Sequence, residues 1–71
     1  MNIKPIQVVV NGEIKQISPP HTVTDLLKEI GWKPTQVVVE HNGRVLPRNE
    51  LGVTKMSNGD RIEIILPVAG G

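Results

Sequence analysis

The sequence contains no cysteine, no phenylalanine and no tyrosine, and it has one tryptophan, Trp32. Without cysteine the chain has no disulfide, no thiol nucleophile and no thiolate metal ligand, which suits a reducing compartment. One aromatic ring cannot form the stacking platform that binds single-stranded nucleic acid. The 71 residues make one small domain, near the lower size limit for folding without disulfides or metals.

Long apolar runs and an excess of one charge are also missing. The segment MNIKPIQVVV is too short and interrupted for a signal peptide, and nothing approaches the ~20 apolar residues that span a bilayer. The 8 basic residues are scattered among 7 acidic ones, without the basic stripe of a nucleic-acid-binding protein. His21 and His41 have no second ligand at metal spacing. We therefore expect a cytoplasmic protein, monomeric when alone, that binds no metal, nucleic acid or membrane.

The segment TVTDLLKEIG predicts one main helix. Thr22 is the expected N-cap, and Asp25 completes an approximate capping box. Gly31 provides the C-terminal cap, and Pro34 prevents the helix from continuing. The apolar residues recur at the i, i+3, i+4, i+7 spacing of a single buried face, namely at Val23, Leu26, Leu27 and Ile30.

Three Asn-Gly pairs separate segments that have the composition of strands. IQVVV and EIKQIS flank Asn11-Gly12, QVVVE and RVLP flank the second pair, and the third pair feeds a last strand of about six residues. A short turn of helix fits the spacing between Asn49 and Val53. We write the order as ββαββ. The pattern predicts an α+β protein with a mixed sheet and one main helix packed on one face, which is the β-grasp architecture.

Several segments together resemble one protein family. VNGE, TVTDLL, VVVEHNGRVLPRNEL, NGDRIEII and the final Gly-Gly are similar to the ThiS/MoaD family of ubiquitin-like sulfur carriers over nearly the whole chain. The body resembles ThiS, the carrier for the thiazole of thiamine. The ending LPVAGG is closer to MoaD-like carriers that serve molybdopterin synthesis. The resemblance therefore favours thiamine first and molybdopterin next.

The resemblance implies a carrier function and not an enzyme. In this family a ubiquitin-activating-enzyme-like adenylyltransferase uses ATP to adenylate the C-terminal glycine, which becomes a thiocarboxylate. The sulfur then passes to an acceptor synthase, of the thiazole synthase type or the molybdopterin synthase large subunit type. Transferred to this chain, Gly71 carries the adenylate and the thiocarboxylate, while Gly70 keeps the tail slender. The chain itself is expected to bind no cofactor, because ATP is used by the partner.

The end of the sequence fits this chemistry. Gly70 and Gly71 lack Cβ atoms, so they suit a channel little wider than a peptide. Pro67 cannot donate a hydrogen bond to a strand, and the last strand is expected to release the chain there. We predict a β-grasp domain over residues 1–67 and a flexible Gly-Gly tail over residues 68–71 that reaches about 13 Å.

The strands contain more apolar residues than one buried face needs. The expected helix-facing residues are Val8, Val10, Val37, Val39, Ile62, Ile64 and Leu66. Isolated apolar residues are common on protein surfaces, but the resemblance favours a docking surface for the activating enzyme on the other face. Its predicted members are Val9, Val38, Ile65, Arg61, Glu63, Val68 and Ala69, with Gln7 among them and Arg44, Arg48 and Glu50 as candidate charges at the rim.

Two other functions fit the same residues. A ubiquitin-like modifier would pass the activated Gly71 to a lysine amine of a target protein. A non-catalytic β-grasp interaction domain would use the sheet face and would not need the terminus. A catalytic role of its own is disfavoured, because the sequence has no Ser/His/acid grouping, no paired carboxylates and no Gly-rich phosphate loop.

Overall fold

The computed structural model describes residues 4–19 and 21–67. Within these ranges the chain forms five strands and one α-helix. The predicted order ββαββ does not count the short strand after Asn42-Gly43, and it is corrected to ββαβββ, because Arg44 and Val45 pair antiparallel with His41 and Glu40. The 3₁₀ helices Pro34–Gln36 and Arg48–Glu50 occupy parts of the connections. The elements are β1 (Ile6–Val10), β2 (Glu13–Ile17), α1 (Val23–Ile30), β3 (Val38–His41), β4 (Arg44–Val45) and β5 (Arg61–Ile65).

The sheet is mixed, with strand order β2-β1-β5-β3-β4. The β1–β2 and β3–β4 hairpins are antiparallel, β5 pairs antiparallel with β3, and β5 pairs parallel with β1. The last strand of the sequence therefore lies in the middle of the sheet. With α1 on one face, this arrangement confirms the predicted β-grasp fold.

Two of the Asn-Gly pairs close the hairpins. Asn11 and Gly12 have φ angles of 49° and 83°, and Asn42 and Gly43 have φ angles of 52° and 86°. A type I′ turn requires positive φ at both central residues, which asparagine and glycine tolerate best. The turn composition therefore determines which strands are joined directly.

Both ends of α1 are capped as the sequence predicts. The Thr22 Oγ1 accepts a hydrogen bond from the Asp25 N–H at 3.2 Å, and the Asp25 carboxylate accepts one from the Thr22 N–H at 3.1 Å. The Thr22 hydroxyl also donates to the Asp25 carboxylate at 3.1 Å, and the two bonds that the carboxylate accepts, from the Thr22 N–H and the Thr22 hydroxyl, lower the pKa of Asp25. At the other end Gly31 is left-handed, and the Gly31 and Trp32 N–H groups donate to the Leu27 carbonyl. This is a Schellman-type ending.

The core lies between α1 and one face of the sheet. Leu26 and Leu27 from the helix, Val8 from β1 and Ile62 from β5 are almost completely buried. Trp32 is partly buried against this cluster. The core is aliphatic, and its other buried members are Val10, Ile17, Val23, Val37, Val39, Leu46, Leu51, Met56 and Ile64.

Three sequence-based expectations are corrected by the structure. Leu66 does not face the helix but is 52% exposed, because β5 ends at Ile65 and the chain has left the sheet. The last strand has five residues, slightly fewer than the expected length of about six. The short helix expected between Asn49 and Val53 begins earlier, at Arg48, and is a 3₁₀ helix that ends at Glu50.

Thr22→Ala should lower the free energy of unfolding by about 1 kcal/mol, because alanine offers the helix no cap acceptor. Urea denaturation followed by the fluorescence of Trp32 measures this change. Thr35→Ala is the matched control, since Thr35 is exposed in the first 3₁₀ helix and should change stability by less than about 0.5 kcal/mol. Equal losses in the two variants would contradict the capping role.

Candidate functional site

The face of the sheet that points away from α1 carries the predicted docking residues that the structure describes. Side chains alternate along a strand, so the neighbours of buried positions lie on this open face. The burial of Ile62 and Ile64 places Arg61, Glu63 and Ile65 there. By strand register the open face consists of Gln7, Val9, Ile14, Gln16, Val38, Glu40, Val45, Arg61, Glu63 and Ile65.

An exposed apolar patch lies where the chain leaves the sheet. Val38 and Ile65 are directly opposite each other in the β3–β5 pair, and they are 38% and 43% exposed. The exposed Leu66 follows at once in the chain. The structure therefore brings two of the predicted docking residues, Val38 and Ile65, into contact distance for cross-strand side chains, and these two residues form the apolar patch.

The other predicted docking residues lie farther along the same face. Val9 is half-buried and aligned with Arg61, with the exposed Ile14 on its other side. Arg61 is four residues before Ile65, which corresponds to about 13 Å along an extended strand. Val9 and Arg61 are therefore on the predicted face but do not belong to the apolar patch.

The centre of the open face is acidic. Glu63 is directly opposite Glu40, and like charges at this position repel each other. Arg61 precedes Glu63 by two residues and is on the same face. Sequence analysis missed Glu40, because only the strand register shows that it stands beside Glu63. Two carboxylates and one guanidinium thus separate the apolar patch from Val9 and Ile14.

Two of the candidate rim charges, Arg44 and Glu50, form an ion pair with each other. Arg44 is paired with His41, so its register places it on the helix side of the sheet and not on the open face. Its Nη2 donates to Glu50 Oε1 at 3.0 Å, in an ion pair with both side chains largely exposed. Exposed pairs of this kind contribute little to stability. Arg44 and Glu50 therefore contact each other at the β4 edge of the molecule.

Asn11 adds a contact that sequence analysis missed. Its Oδ1 accepts a hydrogen bond from the Ile64 N–H at 2.7 Å, and its Nδ2 donates to the Ile64 carbonyl at 3.3 Å. The sequence signal was the Asn-Gly pair itself, which we interpreted only as a turn. The side chain of the turn residue thus binds β5 one residue before that strand ends.

At the other end of β5, Asp60 is held by three neighbours. Its carboxylate accepts hydrogen bonds from His41 Nε2 at 2.8 Å, from the Ser57 N–H at 2.8 Å and from Asn42 Nδ2 at 3.1 Å. An ionised carboxylate only accepts, so Nε2 carries a proton in this contact. Burial raises the pKa of Asp60, but the hydrogen bonds from His41, Ser57 and Asn42 together outweigh it, and the net pKa is lowered.

Four predicted site residues lie outside the described part of the chain. They are Val68, Ala69, Gly70 and Gly71. Within residues 4–19 and 21–67, no three His, Asp or Glu side chains stand close enough to hold a metal ion. No helix in the same ranges is long and apolar enough to cross a membrane.

The comparisons with known proteins agree with this geometry. The family model described as "ThiS family" matches residues 8–71. The chain belongs to the ThiS family. The crystal structure of the thiamine biosynthesis protein (ThiS) from Geobacter metallireducens superimposes with a TM-score of 0.78 at 30% identity, covering 93% of this chain and 100% of that chain. The family-model match includes the final Gly70 and Gly71, which the structure does not describe.

The curated proteins similar to this chain include both longer proteins and proteins of about the same length. A thiazole synthase from Paramagnetospirillum magneticum is 33% identical over 66 residues, which are 93% of this chain but 20% of that protein. The uncharacterized protein ycf40 of Porphyra purpurea is 31% identical over 68 residues, which are 96% of each protein. The chain thus spans about a fifth of the length of the thiazole synthases that it matches.

Asp60→Asn should lower the free energy of unfolding at pH 7 by about 1–3 kcal/mol, because hydrogen bonds to a charged group are lost. The folded-state pKa of Asp60 lies below its ordinary value of 3.8. Its contribution is therefore complete above that value and disappears as the pH falls through the folded pKa. Urea denaturation at pH values from about 2 to about 7, a range that includes the ordinary carboxyl pKa, measures the effect.

In Asp60→Asn the dependence of stability on acid pH should be weaker than in the wild type. A residual dependence should remain, because Asp25 also has a lowered pKa. Glu13→Gln is the control, since Glu13 is exposed at the start of β2. An acid profile that is unchanged in Asp60→Asn would contradict a stabilising role for the carboxylate.

Proposed function

We propose that this chain is a sulfur carrier of thiamine biosynthesis that acts through the carboxylate of Gly71. The observation that carries the proposal is the ThiS family match, which extends through Gly70 and Gly71. The fold supports it, because it is the fold of the thiamine biosynthesis protein (ThiS) from Geobacter metallireducens. The carrier is the co-substrate of an activating enzyme and does not itself catalyse a reaction.

The proposed chemistry starts from a poor electrophile. A carboxylate oxygen of Gly71 attacks the α-phosphorus of ATP in the active site of an adenylyltransferase, and pyrophosphate leaves. The acyl-adenylate then has a good leaving group, and a sulfur nucleophile at the oxidation level of sulfide attacks the carbonyl carbon while AMP departs. The product is a thiocarboxylate. No thiol of this chain takes part, since it has no cysteine.

The acceptor that we propose is a thiazole synthase. Proteins with this name contain a segment similar to this chain as about a fifth of their length. A segment joined to a synthase in one polypeptide has a high effective concentration at that synthase. A separate carrier with the same fold has to reach its acceptor by diffusion.

Intact-mass analysis of the protein from its own cells, purified without acid, tests the function directly. We expect a species that is heavier than the plain chain by the mass difference between sulfur and oxygen. The molybdopterin and thiamine pathways give the same mass, so cells that lack the thiazole synthase separate them by accumulating the loaded carrier. An isopeptide-linked adduct would instead indicate a protein modifier, and a permanently unmodified end would contradict the carrier function.

Gly71→Ala should lower kcat/KM for adenylation by at least about tenfold, because ~1.4 kcal/mol of steric misplacement is a modest effect on a reacting geometry. The substitution keeps the carboxylate and adds one methyl group beside the reacting carbon. Pyrophosphate exchange with the purified adenylyltransferase measures the rate. A variant without Gly70 and Gly71 is the inactive reference.

Val68→Ala is the matched control for the tail, with an expected effect that is mild because Val68 is three residues before the reacting end. Equal effects at Gly71 and Val68 would show that the identity of the last glycine is not part of the mechanism.

Ile65→Asp should weaken binding to the adenylyltransferase by about tenfold or more, because an apolar contact is lost and a charge is left unpaired at the interface. The fold should remain cooperative, since Ile65 is outside the core. Ile14→Asp is the matched control. Ile14 is 69% exposed on the same face but two strands away from Ile65, on β2. Titration calorimetry that gives equal losses for both variants would contradict docking at the apolar patch.

A further inference from the structure

The side chain of Asn11 continues the hydrogen bonds of the parallel β1–β5 pair beyond the last paired residue of β1. Along this pair the Val9 N–H donates to the Asp60 carbonyl and the Asn11 N–H donates to the Ile62 carbonyl, both at 2.9 Å. The next partner on β5 would be Ile64. At this point the backbone turns away into β2, because Asn11 and Gly12 adopt positive φ.

The Asn11 amide fills the position that the backbone leaves. Oδ1 accepts from the Ile64 N–H at 2.7 Å, and Nδ2 donates to the Ile64 carbonyl at 3.3 Å, both in part-buried positions. A side-chain amide has the same carbonyl and N–H groups as a peptide unit, so it can extend a ladder by one step. The contact binds residues 53 positions apart in the sequence.

On the opposite side of β5, strand β3 provides the ordinary partner. Val38 pairs with Ile65 and Val39 pairs with Ile64. Ile64 is therefore held from both sides, by β3 on one side and by the Asn11 side chain on the other, whereas Ile65 pairs with Val38 of β3. Leu66 and Pro67 follow without strand structure.

We propose that Asn11 is a positioning residue that determines where the C-terminal segment leaves the sheet, an inference that rests on the proposed carrier function. By holding Ile64, Asn11 fixes the end of β5, the point from which Leu66 and Pro67 continue. Asn11 contacts no reacting atom and acts through β5. The step that depends on this positioning is adenylation, because the C-terminal segment has to enter the active site of the adenylyltransferase.

Asn42 provides a matched comparison at the other end of β5. Its Oδ1 accepts from the Arg61 N–H at 2.8 Å, and its own N–H donates to the Arg61 carbonyl at 2.8 Å. Asn42 also precedes glycine and has a positive φ of 52°. Asn42 and Asn11 therefore make similar contacts to the same strand, but only Asn11 binds next to the end from which residues 66–71 continue.

Asn11→Gly is the informative variant, because glycine adopts the positive φ of the turn and removes both side-chain bonds. We expect faster hydrogen exchange of the Ile64 amide, measured by NMR, by about tenfold or more, since one lost bond of ~1.4 kcal/mol gives that factor. We also expect kcat for adenylation to fall about 1.5-fold, because release of Ile64 and Ile65 would lengthen the tether from about six to about eight residues, and effective concentration decreases roughly as the −3/2 power of tether length. KM should stay close to the wild-type value, because the open face is unchanged.

Two further variants separate positioning from stability. Asn42→Gly should lower the free energy of unfolding by a similar amount but should leave kcat and the exchange of Ile64 unchanged. Asn11→Asp keeps an acceptor for the Ile64 N–H and tolerates positive φ, but its carboxylate cannot donate to the Ile64 carbonyl, so it should restore kcat and protection only in part, to values between those of Asn11→Gly and the wild type. All three proteins are tested as the full chain with the same adenylyltransferase, and circular dichroism checks their fold.

The outcomes distinguish this proposal from the proposed function. A wild-type chain that is never adenylated contradicts the carrier function itself. A wild-type chain that is adenylated, with equal kcat values in Asn11→Gly and Asn42→Gly, contradicts only the positioning role of Asn11. Unchanged exchange of Ile64 in Asn11→Gly would also overturn it, whatever the kinetics show.

Discussion

The parallel pairing of β5 with β1 is the interaction on which the rest of the structure depends. It brings the last strand of the sequence to the centre of the sheet, between two hairpins that are each local in sequence. The pair has only two directly opposed residues, Val9 with Arg61 and Val10 with Ile62. Backbone and side-chain bonds from Asp60 and Asn11 lengthen it at both ends. Without this pairing the two hairpins would have no common core.

The two faces of the central strand β5 have different roles, one in the core and one on the open face of the sheet. Ile62 and Ile64 bury their side chains under α1, whereas Arg61, Glu63 and Ile65 point to the open face. A chain of 71 residues has little apolar surface to spare, and the helix covers only one side. Leaving Val38 and Ile65 uncovered beside the exit of the chain therefore has a function in our proposal, as the contact that places a carrier next to its activating enzyme.

The three asparagines that precede glycine do more than form turns. Asn11 binds Ile64, Asn42 binds Arg61, and the Asn58 Oδ1 accepts a hydrogen bond from the Gln7 N–H at 2.9 Å. Each side chain reaches a strand that is distant in sequence. In a sheet of short strands, a side-chain amide adds a ladder bond where the backbone has already turned. The same residues thus form local turns and long-range contacts.

The sequence by itself determined the local elements of this protein, because their signals come from neighbouring residues. The i, i+4 spacing and the Thr22 and Gly31 caps specify α1, and Asn-Gly at positive φ specifies the hairpins. The tertiary structure alone decided which side chains meet across the sheet. Glu40 beside Glu63, Asn11 on Ile64 and Asp60 beside His41 depend on strand register between distant segments. Leu66 was misplaced for the same reason, since alternation predicts a buried position only as long as the strand continues, and where a strand ends is set by the partners that pair with it.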